Sequence, residues 1–190
     1  MANTPTWYNG YGQWGIIDAE KKVYSVSFRR FPFTDGKIWK GNNPAFGQLK
    51  LTAQGGHPGP QPNVAVMRRW VAPMNTTVNV SGRLEHRLED DAQAAFDDKL
   101  TDDLRKWYDN NAWDGVTGFI VHSRAGNANG QRFGKEIVRA DVRRGRRDLN
   151  SGDIQVQTGD TIDFVVTSKG YQAPNTLTSI ARPVSYTHLT

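Results

Sequence analysis

Along most of the chain, hydrophobic residues recur at every second position in short runs, and turn residues separate those runs. Val23–Phe28 alternates apolar and polar side chains, Gln48–Thr52 alternates again, and Val64–Trp70 forms a third run. Each reads as a strand with one buried face. Thr76–Gly82 gives the clearest alternation of the first half, with Val78 and Val80 on one face and Thr77, Asn79 and Ser81 on the other. Pro73 lacks a ladder donor, so it belongs at a strand end, before the turn at Met74 and Asn75. Gly115–Ser123, Gly134–Val142, Asp153–Gln157 and Thr161–Thr167 continue the series, the last two joined by the turn Thr158–Gly159–Asp160. With Thr176–Ala181 this makes eight or nine strands, and their spacing predicts an all-β fold, a jelly-roll-like antiparallel β-sandwich. The aromatic, Gly-rich opening from Trp7 to Trp14 reads as an irregular segment laid over a sheet edge.

One segment departs from this period. Between Asp90 and Trp107 the apolar residues Ala92, Ala95, Phe96, Leu100, Leu104 and Trp107 fall at helical spacing, with acids opposite. The pattern predicts a single inserted α-helix over about 90–107, within an insert spanning 88–111. Packed by Phe96, Leu100 and Trp107 it forms a lid on the sandwich; a partner-binding helix is the alternative reading.

Composition adds an uneven charge. The 190-residue chain carries a formal +5, yet residues 88–111 hold 8 of its 19 acids and 3 of its 24 bases, so 21 bases face 11 acids elsewhere. A basic body around an acidic insert admits anionic partners without specifying one. Cysteine is absent, which removes disulfides, thiolate metal sites, cysteine nucleophiles and the CxxCH attachment of a c-type haem. The opening MANTPTWYNGYGQWG lacks the basic and apolar regions of a signal peptide, and no run approaches a membrane span. One domain over 1–184 is the expectation. Residues 185–190 break the alternation and resemble translated adaptor sequence, so they read as a non-native tail.

Chemistry-bearing motifs are sparse. No G-x-S-x-G, P-loop, strand-borne G-x-G-x-x-G or H-E-x-x-H is present, which points away from an enzyme. None of the histidines at positions 57, 86, 122 and 188 has a partner at metal-ligand spacing. His57, in Gly55–Pro60, would be held beside exposed backbone as a contact residue, or serve the loop itself. Asp90–Asp91, Asp97–Asp98 and Asp102–Asp103 diverge on a helix and form a solvated face. Asp109 and Asp114 are the candidates for a structural calcium, although no D-x-D-x-D-G pattern supports it. The run Arg139, Arg143, Arg144, Arg146, Arg147 reads as an exposed loop paired with Asp141 and Asp148, and it lacks the interleaved aromatics of a nucleic-acid site. Arg68 and Trp70 share a strand face, giving either a cation–π contact at the core edge or a sugar platform.

Several segments carry a resemblance when taken in order: Gly10-Tyr-Gly12, Phe33-Thr34 with Trp39-Lys-Gly41, Leu51-Thr-Ala-Gln-Gly-Gly-His-Pro-Gly59, Arg68-Arg-Trp-Val-Ala-Pro73, Val78-Asn-Val-Ser-Gly-Arg-Leu-Glu-His86, Trp113-Asp-Gly-Val116, Ile120-Val-His-Ser-Arg124 and Gly159-Asp-Thr-Ile-Asp-Phe-Val-Val166. Over about residues 7–184 the chain resembles an uncharacterised sandwich region of large exported planctomycete proteins that also carry a planctomycete-type cytochrome c domain. The resemblance implies a periplasmic or extracellular accessory region, similar in form to carbohydrate-binding modules, inside proteins thought to act on complex polysaccharide. The segment 88–111 departs from the pattern, which has a short loop after His86, and covers surface that His86 and Asp114 would otherwise present. Without CxxCH, no haem function resides in this chain.

Two functional readings follow. In the first, a non-catalytic module binds polysaccharide, anionic in character, through Trp39, His57, Arg68, Trp70, His86 and Arg124. In the second, the domain is a structural spacer or docking unit for neighbouring domains of a parent chain, and those residues serve loops and core edges.

Overall fold

The computed structural model describes residues 6–32, 38–40, 49–52, 55–58, 63–86, 115–125, 132–143, 145–169 and 178–180. These residues form β1 (Thr6–Asp18), β2 (Val23–Val26), β3 (Arg29–Arg30), β4 (Ile38–Lys40), β5 (Lys50–Thr52), β6 (Gly56–His57), β7 (Val64–Val71), β8 (Thr76–His86), β9 (Val116–Ser123), β10 (Arg132–Val142), β11 (Gly145–Val156), β12 (Thr161–Ser168) and β13 (Thr178–Ile180). The all-β class is as the alternation predicts. The expected helix over 90–107, Asp109, Asp114 and the segment 185–190 lie outside the described residues.

The strands fall into two sheets, and their pairing departs from the jelly-roll expectation. The larger runs β2-β10-β9-β12-β7-β1-β3, and β1 pairs again with β2 through Trp14↔Val26, Gly15↔Ser25 and Ile16↔Tyr24. That second pairing joins the ends, so the sheet closes into a six-stranded antiparallel barrel with β3 hanging from β1. A closed barrel removes the free edges that each half of an open sandwich must protect. The second sheet, β11-β8-β13-β6-β5-β4, stays open.

Layering follows from side-chain parity. On the central barrel strands the residues of one parity point inward, where Ala65, Met67, Phe119, Val121 and Val165 meet Tyr24, Val26, Trp14 and Phe28. Trp14 stacks on Tyr24 with ring centroids 4.0 Å apart and leans on Phe119 at 4.1 Å. Residues of the other parity, including Val66, Trp70, Ile120, Ile162 and Phe164, point outward and are covered by Val78, Val80, Leu84, Leu149, Ile154 and Val156 of the second sheet. Strands β7, β9 and β12 are therefore buried on both faces, which is why consecutive apolar residues such as Val64–Met67, Phe119–Val121 and Phe164–Val166 interrupt the alternation there.

Two segments read as irregular from sequence are strands here. Thr6–Asp18 is the long β1 that closes the barrel, and its glycines permit the closure: a Cβ on Gly12 would lie 1.6 Å from the Ser27 carbonyl oxygen. The basic run 139–147 is likewise not one loop, since Arg139 belongs to β10 and Arg146 and Arg147 to β11.

Inside the barrel a buried ion pair takes two inward positions. Arg69 Nε and Nη2 donate to Asp163 Oδ1 and Oδ2 at 2.7 and 2.9 Å, and the Arg69 guanidinium lies 4.3 Å from the Phe28 ring centroid. Burial pushes the Asp163 carboxyl up from its ordinary value, while the Arg69 fork pulls against that rise. Farther along, the Tyr24 hydroxyl donates to Glu136 Oε2 at 2.7 Å; burial first, and then that carboxylate, push the phenol up to about 12.

Candidate functional site

The residues that the sequence nominates separate into two places. Trp39, His57, Arg68, Trp70 and His86 gather where β4, β5, β6 and β8 cover β7. Trp70 is 4% exposed and Arg68 8%, and an Arg68 Nη2–H donates to the Thr52 carbonyl. Burial lowers the pKa of Arg68. His57 and His86 are buried on strands joined through Thr178 of β13, which pairs with both Gly56 and His86. His86 Nδ1 donates to the Arg143 carbonyl at 2.5 Å. Burial, reinforced by the charge of Lys50 and by His86, pushes the His57 imidazole down to about 4. Trp39 is half-buried against the same core. His57, Arg68, Trp70 and His86 are buried where the second sheet meets the barrel and are not presented to solvent, while Trp39 is partly covered.

Arg124 stands apart, at the end of β9, with 63% of its side chain exposed. Two concavities of about 450 and 390 Å³ flank it and share Arg124 and Gln155 in their walls. Both volumes fall in the range of ligand clefts, ~300–1,000 Å³. Their position follows from the layering: the second sheet stops short of the β2–β10 side of the barrel, leaving a groove between β10 and β11. Phe133 and Lys135 line it because Gly134 between them faces inward, where a Cβ would lie 2.2 Å from Val121 Cγ1. Alternation then sends both neighbours outward, and Phe133 is 48% exposed. Asp153 and Gln155 form the opposite wall, and Asn75, Thr76 and Thr77 continue it past Arg124.

The groove's back wall is organised by Asp160, which is 1% exposed. Its Oδ1 accepts the Ala125 amide at 2.8 Å, and its Oδ2 accepts the Gln157 amide and His122 Nε2, each at 2.9 Å. Burial works to raise this carboxyl, yet the hydrogen bonds from Gln157, Ala125 and His122 outweigh it and hold the group below its ordinary value. Arg132 Nη1 donates to the Gly159 and Arg124 carbonyls at 3.2 and 3.4 Å, fastening the backbone that carries Arg124. The Arg124 guanidinium itself stays 3.9 Å from Asp160, at the far limit of an ion pair, and remains directed to the groove.

No family model matches the chain, and no curated protein sequence or solved structure matches it. The functional reading therefore rests on the residues.

Chemically, the groove offers a guanidinium, an ammonium, side-chain amides, hydroxyls and a phenyl face, with the largely buried imidazole of His122 behind them. Among the described residues no group of three or more His, Cys, Asp or Glu is placed to hold a metal ion. Of the basic run, Arg139 pairs with Asp141 at 3.5 Å, an acid it shares with Lys169 at 3.6 Å, whereas Asp148 pairs with Arg83 of β8 at 2.9 Å. Sequence reasoning nominated Arg124 but missed Phe133, His122 and Asp160. The available signal was the alternation in Val121-His-Ser-Arg124, which puts His122 and Arg124 on one face.

Proposed function

We propose that this chain is a non-catalytic binding module of a larger exported protein, and that it takes a glycan-type ligand in the groove beside Arg124. The observation that carries the reading is the open cleft at the seam of the two sheets, where an exposed guanidinium, amide side chains and the Phe133 ring converge. A sugar ring needs an apolar face to stack on and polar groups around its rim, and this set supplies both. Against catalysis, Asp160 is buried and committed to three donors, and Asp153 accepts from Asn79 Nδ2 at 3.2 Å, whereas glycoside cleavage requires two available carboxyl groups. A periplasmic or extracellular setting, with polysaccharide as partner, fits this reading. The sheet laid over the barrel keeps a sandwich-like layering of the kind expected of such modules.

A titration followed by amide chemical shifts tests the proposal with neutral and acidic oligosaccharides. Shifts should concentrate on residues 122–125, 133–135 and 153–157 and weaken in Phe133→Ala. No shift there with any glycan overturns it. The burial of His57, Arg68, Trp70 and His86 favours a second reading, a spacer or docking domain in which those residues serve the core.

A further inference from the structure

Resting on that reading, we infer that the groove is built for a chain of uronic acid sugars, with Arg124 as the carboxylate anchor between two sugar subsites.

Three features of the groove lead to this class. The two concavities share Arg124 and Gln155, of which Arg124 carries the charge, so a ligand filling them in succession passes over its guanidinium. A planar fork of donors matches a carboxylate in bidentate fashion. The carboxylate of Asp160 stays 3.9 Å from the Arg124 guanidinium, because His122, Gln157 and Ala125 already occupy that acceptor. Internal pairing is thus loose by construction, and an incoming carboxylate displaces little.

Charge density narrows the choice among anions. Among the described residues, the walls bring two cations, Arg124 and Lys135, together with one acid, Asp153. A chain with one carboxylate per sugar can place an anion on each cation while its hydroxyls face Asp153 and Gln155. A densely sulfated chain would press further sulfates against Asp153, at a like-charge cost. Sugar rings rather than a polypeptide are favoured by Phe133, exposed on the floor beside Lys135, where a flat C–H face can lie on the ring while the carboxylate reaches the cations.

The test is calorimetric titration of the 190-residue protein with a short oligogalacturonate, its carboxyl-reduced neutral counterpart, a heparin-derived sulfated oligosaccharide and polyglutamate. Oligogalacturonate should bind at least about tenfold more tightly than each of the others, and Arg124→Gln should remove about that factor by eliminating the bidentate contact. Phe133→Ala should weaken the charged and the neutral glycan alike. Both side chains are exposed, so unchanged thermal melts verify that the variants fold. Equal binding of the neutral counterpart, or tighter binding of the sulfated chain, overturns the uronate assignment and leaves the glycan-binding reading standing. Polyglutamate binding equal to oligogalacturonate overturns the sugar specificity, and failure of every glycan to bind overturns both.

Discussion

His122 donates its Nε2–H to Asp160 Oδ2 across 2.9 Å, and the same carboxylate accepts two backbone amides from separate loops. An ionised carboxylate accepts only, and the net fall in the Asp160 pKa is the signature of those donors. One buried side chain thus ties the end of β9 to the turn before β12. Asp160→Ala strands three donors, and its urea midpoint should report a loss of about 3 kcal/mol or more. Asp160→Asn, which retains one carbonyl acceptor, should fall between. A midpoint unchanged in Asp160→Ala would show that the loops hold themselves.

The Arg69–Asp163 pair predicts a characteristic non-additivity. Removing either partner leaves a charge in the barrel interior, so Asp163→Leu or Arg69→Met alone should cost about 3–5 kcal/mol. The double variant should cost far less than the sum, since two apolar side chains fill a space already lined by Met67 and Val165. Denaturant unfolding of the four proteins measures the coupling. Additive losses would mean that the two side chains do not act as a pair.

Strand positions were legible in the sequence because alternation is a local property, and Val23–Phe28, Val64–Trp70, Thr76–Gly82 and Thr161–Thr167 each contain or overlap an observed strand. Barrel closure was not. It depends on β1, whose glycines lower strand propensity yet are what the approach of Ser27 requires. In Val64–Val71, the weak alternation of Ala-Val-Met-Arg-Arg-Trp was a sign of burial on both faces, and taking it for one buried face kept a sugar platform open beside the core-edge reading of Arg68 and Trp70. The groove escaped notice for a related reason: Phe133 and Arg124 line one concavity only because the second sheet ends there, a boundary that no local pattern encodes.

Gly12 supplies a test of closure with an internal control. A methyl group there would meet backbone, the Ser27 carbonyl oxygen at 1.6 Å, whereas one on Gly15 in the same strand meets the rotatable Ser25 hydroxyl at 3.3 Å. Gly12→Ala should lose more than the ~1–3 kcal/mol typical of an overpacked core, and Gly15→Ala should lose less than about 1 kcal/mol. Thermal melts of the two variants compare them directly. Equal melting temperatures would remove Gly12 from the account of how the barrel closes.

Acid should weaken the protein through His57. In the folded chain its imidazole takes a proton only near pH 4, because burial, Lys50 and His86 all oppose the charge, whereas in the unfolded chain it does so near pH 6.5. Above pH 6.5 the residue is neutral in both states and its packing contributes in full. As pH falls below 6.5 the unfolded chain gains a proton that the folded chain refuses, so stability declines, and the decline levels off below about pH 4. Across that window the loss amounts to about 3 kcal/mol. Carboxylates also titrate in this range, so the measurement that isolates His57 is the difference between the wild type and His57→Gln, each unfolded in urea from pH 7.5 to about 4. Gln fills similar space without titrating, and its curve should be flatter by that amount. Parallel curves would mean that His57 stays accessible to protons in the folded state, and that the second sheet opens over β7 more readily than its packing implies.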